Sequence, residues 1–185
     1  MKYNEMTFGQ MEAVINKLGG YEETLRFLRG ELVVSESAKK IDTVNPYTLT
    51  INYTRSIEDG IKAGKYDWTN SDITSSHFPS SEVGTKEVSV ELVHFGKDMT
   101  IEEVLSELDK AGMRPTTLKE LLVLGEKYPD LQREFPIIAL ASVWQNPRGV
   151  RRCAYLVRFG SRRDLDWRWV GRRWLGLCRF AAVRK

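Results

Sequence analysis

A chain of 185 residues, 42% hydrophobic and 29% charged, is long enough to bury one sizeable core, or one core with a small appendage. Its longest apolar run, Phe135 to Trp144, is about half the length of a bilayer span, so no membrane segment is expected. MKYNEMTFGQ places polar and acidic residues where a signal peptide has its apolar stretch, which makes the cytoplasm the expected compartment and leaves a non-classical export route open.

The net charge of +3 conceals an asymmetry. Residues 148–185 hold eleven Arg, one Lys and two Asp, a balance of +10, whereas residues 1–147 hold 16 basic and 23 acidic residues, a balance of −7. A basic segment in an acidic chain points to an anionic partner or to a solvated face. Here the basic residues are nearly all Arg and alternate with Trp167, Trp169 and Trp174, the residue types enriched at interfaces. Cys153 and Cys178 are the only cysteines, no CxxC occurs, and His77 and His94 lie far apart. Neither a disulfide framework nor a metal site nor a cofactor is expected.

In chain order, Met6, Phe8, Met11, Val14, Ile15 and Leu18 fall at helical spacing over residues 5–18, ended by Gly19-Gly20. Tyr21 to Leu28 reads as a second short helix and Glu31 to Val34 as an extended piece. Residues 1–34 are thus a helical appendage, whose plainer role is packing rather than contact with a partner. Tyr47 to Tyr53 alternates as a half-buried strand, and Ser56 to Lys65 reads as a short helix closed by Ala63-Gly64. Thr69 to Gly84 is turn-rich loop, in which His77 reads as a local hydrogen-bonding residue. Lys86 to Phe95 alternates as a strand through Val88, Val90 and Leu92, with Val93 out of phase.

Thr100 and Glu103 form a capping box ahead of an apolar stripe of Ile101, Val104, Leu105 and Leu108. Thr116 or Thr117 caps the next helix, which turns Leu118, Leu121, Leu122 and Leu124 inward and stops at Pro129. Phe135 to Trp144 then reads as a buried strand, and the pattern stays strand-like to Arg184. In Asp164 to Trp169 the alternation is sharpest: Leu165, Trp167 and Trp169 on one face, Asp164, Asp166 and Arg168 on the other. Helices first and strands last suggest an α+β fold, with residues 35–185 as its main domain.

Three local patterns resemble one family. Arg114, Pro115, Thr116 and Glu120 match the helix start of C-type-lectin folds of the formylglycine-generating-enzyme type. The strand Ile137 to Trp144 follows at suitable spacing, and Cys178-Arg179-Phe180-Ala181-Ala182-Val183-Arg184 is similar to the terminal strand of that fold. Within it, the chain most resembles the variable proteins of diversity-generating retroelements. Their pattern matches Ser142-Val143-Trp144, Asn146-Pro147, Gly149, Arg151, Tyr155-Leu156, Gly160-Ser161, Trp169, Trp174 and Cys178-Arg179-Phe180. The likeness covers residues 85–185 well and the N-terminal third poorly.

That resemblance implies a C-type-lectin-like domain whose segment 145–177 is rewritten by copying a template rich in Asn codons with randomised adenines. The residues between the fixed points are Arg148, Val150, Arg152, Val157, Phe159, Asp164, Asp166, Arg168, Val170, Gly171, Arg172, Arg173, Leu175, Gly176 and Leu177. All their types are reachable from an Asn codon by changing adenines, so they are the expected binding positions. Phe159, Arg168, Arg172 and Arg173 are the expected affinity anchors. The fixed Trp144, Tyr155, Leu165, Trp169, Trp174 and Phe180 would hold the scaffold. In the strand 164–169 the template-like residues are those expected to face solvent, where substitution costs little stability, and a one-residue slip would put charges in the core.

No catalytic motif is readable: there is no GxSxG, Walker loop, HExxH or EF-hand loop. Cys178 reads as a small buried hydrophobe, and Cys153 has Arg151 and Arg152 beside it but no His. The chain is therefore expected to be a non-enzymatic binder of a macromolecular ligand, a protein ahead of nucleic acid. The nucleic-acid alternative rests on Arg151-Arg152, Arg162-Arg163 and Arg172-Arg173 with neighbouring aromatics. An oligomerisation surface is the third reading, because exposed Val, Phe and Leu beside Arg are interface-like.

Overall fold

The structure, a computed structural model, describes residues 7–32 and 42–185. Met6, and Val33-Val34 of the expected extended piece, lie outside them. The chain divides into two compact units, residues 1–39 and 40–185.

In the first unit, α1 (Phe8–Lys17) starts at Thr7, whose hydroxyl accepts from the Gln10 N–H while Gln10 answers the Thr7 N–H, a capping box that the apolar spacing alone does not reveal. Helix α2 (Tyr21–Leu28) follows after Gly19 and Gly20, both at positive φ as the tight reversal requires. Neither helix buries a residue.

The second unit is a mixed α/β domain built on one eight-stranded sheet. Its strands are β1 (Asp42–Asn52), β2 (Trp68–Thr69), β3 (Thr85–His94), β4 (Met113–Pro115), β5 (Ile137–Gln145), β6 (Arg151–Phe159), β7 (Arg162–Trp169) and β8 (Arg179–Arg184). The order across the sheet is β1-β3-β8-β5-β6-β7-β2, with β4 also paired to β8. The pairs β5–β8 and β2–β7 are parallel and the others antiparallel. The C-terminal strand β8 thus lies inside the sheet, between β3 and β5.

Both faces of the sheet are covered. On the first face α3 (Ile57–Gly64) and α5 (Leu118–Lys127) pack over Leu49, Val90, Val183, Ala181, Ile137, Ala154, Leu156 and Leu165. The second face carries its own core: α4 (Ile101–Lys110) and the segment after β7 lay Ile101, Val104, Leu108, Trp174 and Cys178 over Val93, Phe180, Ala182, Ile138 and Cys153. This arrangement explains Val93. It is out of phase with Val90 and Leu92 because it fills the other core, as expected of strands buried on both sides. Leu105 departs from the expected stripe of α4 and is exposed.

The start of α5 ties the two ends of this domain together. Thr117, not Thr116, caps the helix. Thr116 is buried and its hydroxyl donates to the Ala181 carbonyl of β8. The capping-box partner Glu120 is fully buried, where it accepts from the Tyr53 hydroxyl (2.5 Å), from Arg114 (2.8 and 3.0 Å) and from the Thr117 N–H (2.7 Å). Burial alone would raise the Glu120 carboxyl, but these donors overcome it and hold the group below the usual carboxylate range. The last helix, the single turn α6 (Leu131–Glu134), brings Gln132 to donate to the carbonyls of Val157 and Asp164.

Candidate recognition surface

The central piece of the surface is the β6–β7 hairpin. Gly160, at φ 62°, supplies the positive φ that the first residue of a two-residue II′ turn requires. The register pairs Phe159 with Arg162, Val157 with Asp164, Tyr155 with Asp166 and Cys153 with Arg168 on the second face. Arg158 with Arg163, Leu156 with Leu165, Ala154 with Trp167 and Arg152 with Trp169 occupy the first face. The alternation expected for residues 164–169 is present.

Its relation to solvent is not the expected one. Asp164 is buried, 5% exposed, and its carboxylate is met by Arg162 at 2.9 Å; Trp169, expected beneath the surface, is 44% exposed. Asp166 and Arg168 are half-buried. Asp166 accepts from the Asn70 amide (2.8 Å) and from the Trp167 N–H (2.7 Å), and the Arg168 guanidinium stands 5.3 Å from the Trp174 ring. Alternation separates two faces without making either uniformly wet: on the charged face Arg168 lies against Trp174 of the second core and Asp164 is closed off with Arg162, whereas Phe159 stays exposed.

The segment after β7 shows the same mixture. Val170 is buried at 3% exposure and belongs to the second core, so it is not available for contact. Gly176 is held against the backbone of the loop before α4: a Cβ there would meet Lys97 N at 2.8 Å, and the Gly176 N–H and carbonyl bond to Asp98 and His94. That position tolerates no side chain without moving the loop. Leu175 and Leu177, on either side of Gly176, stay exposed, as do Gly171, Arg172 and Arg173, with Arg172 over the Trp169 ring at 5.7 Å and Arg173 donating to the Asp98 carbonyl.

At the other end of β6, Asn146 builds the β5–β6 turn. Its side chain accepts from the N–H groups of Arg148 (3.0 Å) and Val150 (2.9 Å), and Gly149 takes φ 79°. Arg148 stands exposed at the tip and Val150 is half-buried. Phe159, the most exposed aromatic of the hairpin at 72%, lies at the opposite end, roughly 24 Å along the strand from Arg152. The candidate positions are therefore spread along the hairpin and the segment after it, not gathered in one pocket.

Two arginines of the expected basic surface face inward. Arg163 is buried and donates to the carbonyls of Pro129 (2.9 Å), Gly64 (3.0 Å) and Gly125 (2.9 Å), at the C-terminal ends of α3 and α5. A cation suits these carbonyl-rich helix ends. Arg152 lies half-buried between Trp167, 3.4 Å from ring centroid to guanidinium carbon, and Trp144, 5.5 Å, and its Nη1 meets Asp72 at 3.2 Å. His77 stacks on Trp144 at 4.1 Å with planes 9° apart and bonds the Asp72 carbonyl through Nδ1. The sequence gives no signal for this stack, because its His77 and Asp72 come from a loop without periodicity.

Both thiols are buried; burial pushes the Cys153 thiol up to about 12 and raises Cys178 as well, so neither is a thiolate nucleophile at neutral pH. Arg168, opposite Cys153 on β7, lowers the thiol but does not offset its burial. Among the described residues, no group of three His, Cys, Asp or Glu is placed to hold a metal ion, and no helix is long and apolar enough to cross a membrane. Comparison with known protein families, curated proteins and solved structures finds no match.

Proposed function

We propose that this chain is a display protein of the retroelement-diversified kind: a C-type-lectin-like domain with a helical appendage, whose segment 145–177 binds a macromolecular ligand, a protein, without catalysis. One observation carries the reading. Phe159, Arg172, Arg173, Leu175 and Leu177 are exposed on the hairpin and the segment after it, while the frame residues Leu156, Leu165 and Trp167 belong to the core under α5. Such a frame lets one set of side chains change while the other keeps the fold. Burial narrows the contact set to Arg148, Phe159, Arg172, Arg173, Leu175 and Leu177, with Arg168 at its edge.

The nucleic-acid alternative loses part of its basis, because Arg163 and Arg152 spend their guanidinium groups on internal partners and Arg162 pairs with Asp164. The coding locus tests the proposal. A near-identical copy of the segment coding for residues 145–177, differing at adenines and lying beside a reverse transcriptase gene, is the expected finding. A complete locus without that copy rejects it. Binding to mixed DNA and RNA that falls steeply with salt would favour the nucleic-acid alternative instead.

A further inference from the structure

The geometry points to a cation-recognition slot between Trp144 and Trp167, which in this chain is filled by its own Arg152 and which, when residue 152 is small, accepts the guanidinium of an arginine side chain on a protein partner. Both walls have support besides their occupant. Trp144 lies directly across β5–β6 from residue 152, and Trp167 sits on the adjoining strand, two positions along from its partner Trp169. Trp144 is backed by the stacked His77 ring and by Phe78 at 6.5 Å, and Trp167 packs against the first core. Asp72 supplies a carboxylate at the mouth, its side chain 39% exposed. A flat cation between two indoles with a carboxylate beside it is the arrangement that favours guanidinium over ammonium.

The occupant is held lightly. Arg152 makes one ion pair, and its Nε–H meets no protein acceptor, whereas Arg163, toward the turn of the same hairpin, donates to four carbonyls. A side chain kept by stacking and one carboxylate is one whose head group a free ligand can replace. The proposal rests on the display reading only for why residue 152 would differ between copies, and its test does not need that reading.

Arg152→Ala and Arg152→Asn, in the full chain, are titrated with ethylguanidinium chloride at millimolar concentration and followed by tryptophan fluorescence and melting temperature, with ethylammonium chloride as the control of equal charge. Both variants are expected to give a saturable fluorescence change and a raised melting temperature, about tenfold stronger for ethylguanidinium than for ethylammonium. The native chain should give neither, and adding Trp167→Ala should abolish both. N-acetylarginine amide is expected to act like ethylguanidinium; a response to free arginine but not to the amide overturns the assignment to a protein side chain. An unsaturable response, an equal response in the native chain, or failure of both variants to fold even with ethylguanidinium present overturns the slot. A positive titration beside an undiversified locus would keep the slot and reject the display reading.

Discussion

Arg163 and Arg152 stand on the same face of one hairpin, near its two ends, and the domain treats them in opposite ways. At the turn end, Arg163 is enclosed by the C-terminal carbonyls of two helices and stacks over Tyr66. Gly64 and Gly125 allow that approach, since a Cβ on either would strike the Tyr66 ring or hydroxyl at 2.4 Å or less. At the open end, Arg152 lies between two indoles with one carboxylate for company. The first arginine satisfies carbonyls at the ends of two helices. The second fills a space whose walls are also packed by His77, Phe78 and the first core. The same residue type is thus bonded to helix-end carbonyls in one place and stacked between indoles in the other, and net charge distinguishes neither.

The sharpest way to break this comparison is Arg163→Ala, which strips the donor from the carbonyls of Gly64, Lys65, Gly125 and Pro129 and a cation from two helix ends. It should lower unfolding free energy by about 3–5 kcal/mol in urea denaturation. A loss no larger than that of Arg152→Ala, expected at about 1–2 kcal/mol, would erase the distinction.

Glu120→Gln should come next, at about 2 kcal/mol, because it leaves Arg114 without its charge partner although Arg114 is partly solvated. Its effect should depend on pH. The folded Glu120 carboxyl is held below its unfolded value of about 4.3, so its contribution is complete above that value and is lost as pH falls through the lower folded one. The gap in stability between the native chain and Glu120→Gln should therefore close on acidification below about pH 4.

Gly176→Ala, which drives a methyl group into the Lys97 backbone, should cost about 1–3 kcal/mol. Phe159→Ser, at the exposed tip, should change stability by no more than about 0.5 kcal/mol. If these two substitutions prove equally harmless in thermal melts, the division of the segment into fixed and free positions is wrong.

How much of this was legible in the sequence follows from range. Helix α4 declares itself through a capping box closed within four residues, α5 through a Thr cap and a leucine stripe, and β7 through a two-residue alternation that the register preserves. Alternation names the faces of a strand without saying which is dry. Asp164 is therefore buried although it falls on the charged face, and Trp169 is exposed although it falls in line with Leu165 and Trp167. The carbonyls around Arg163 belong to residues 34 to 99 positions away in the chain, and no local pattern records them. The short strands β2 and β4 were also unreadable, because their ladders are supplied by β7 and β8 rather than by their own residues.

The most direct test of the account is to sequence many copies of this gene from one population and compare the codons of residues 145–177 one by one. The account predicts substitutions concentrated at Arg148, Arg152, Phe159, Arg172, Arg173, Leu175 and Leu177, with Arg163, Trp167, Trp174 and Gly176 constant. Substitutions spread evenly along the segment, or none at all, would contradict it.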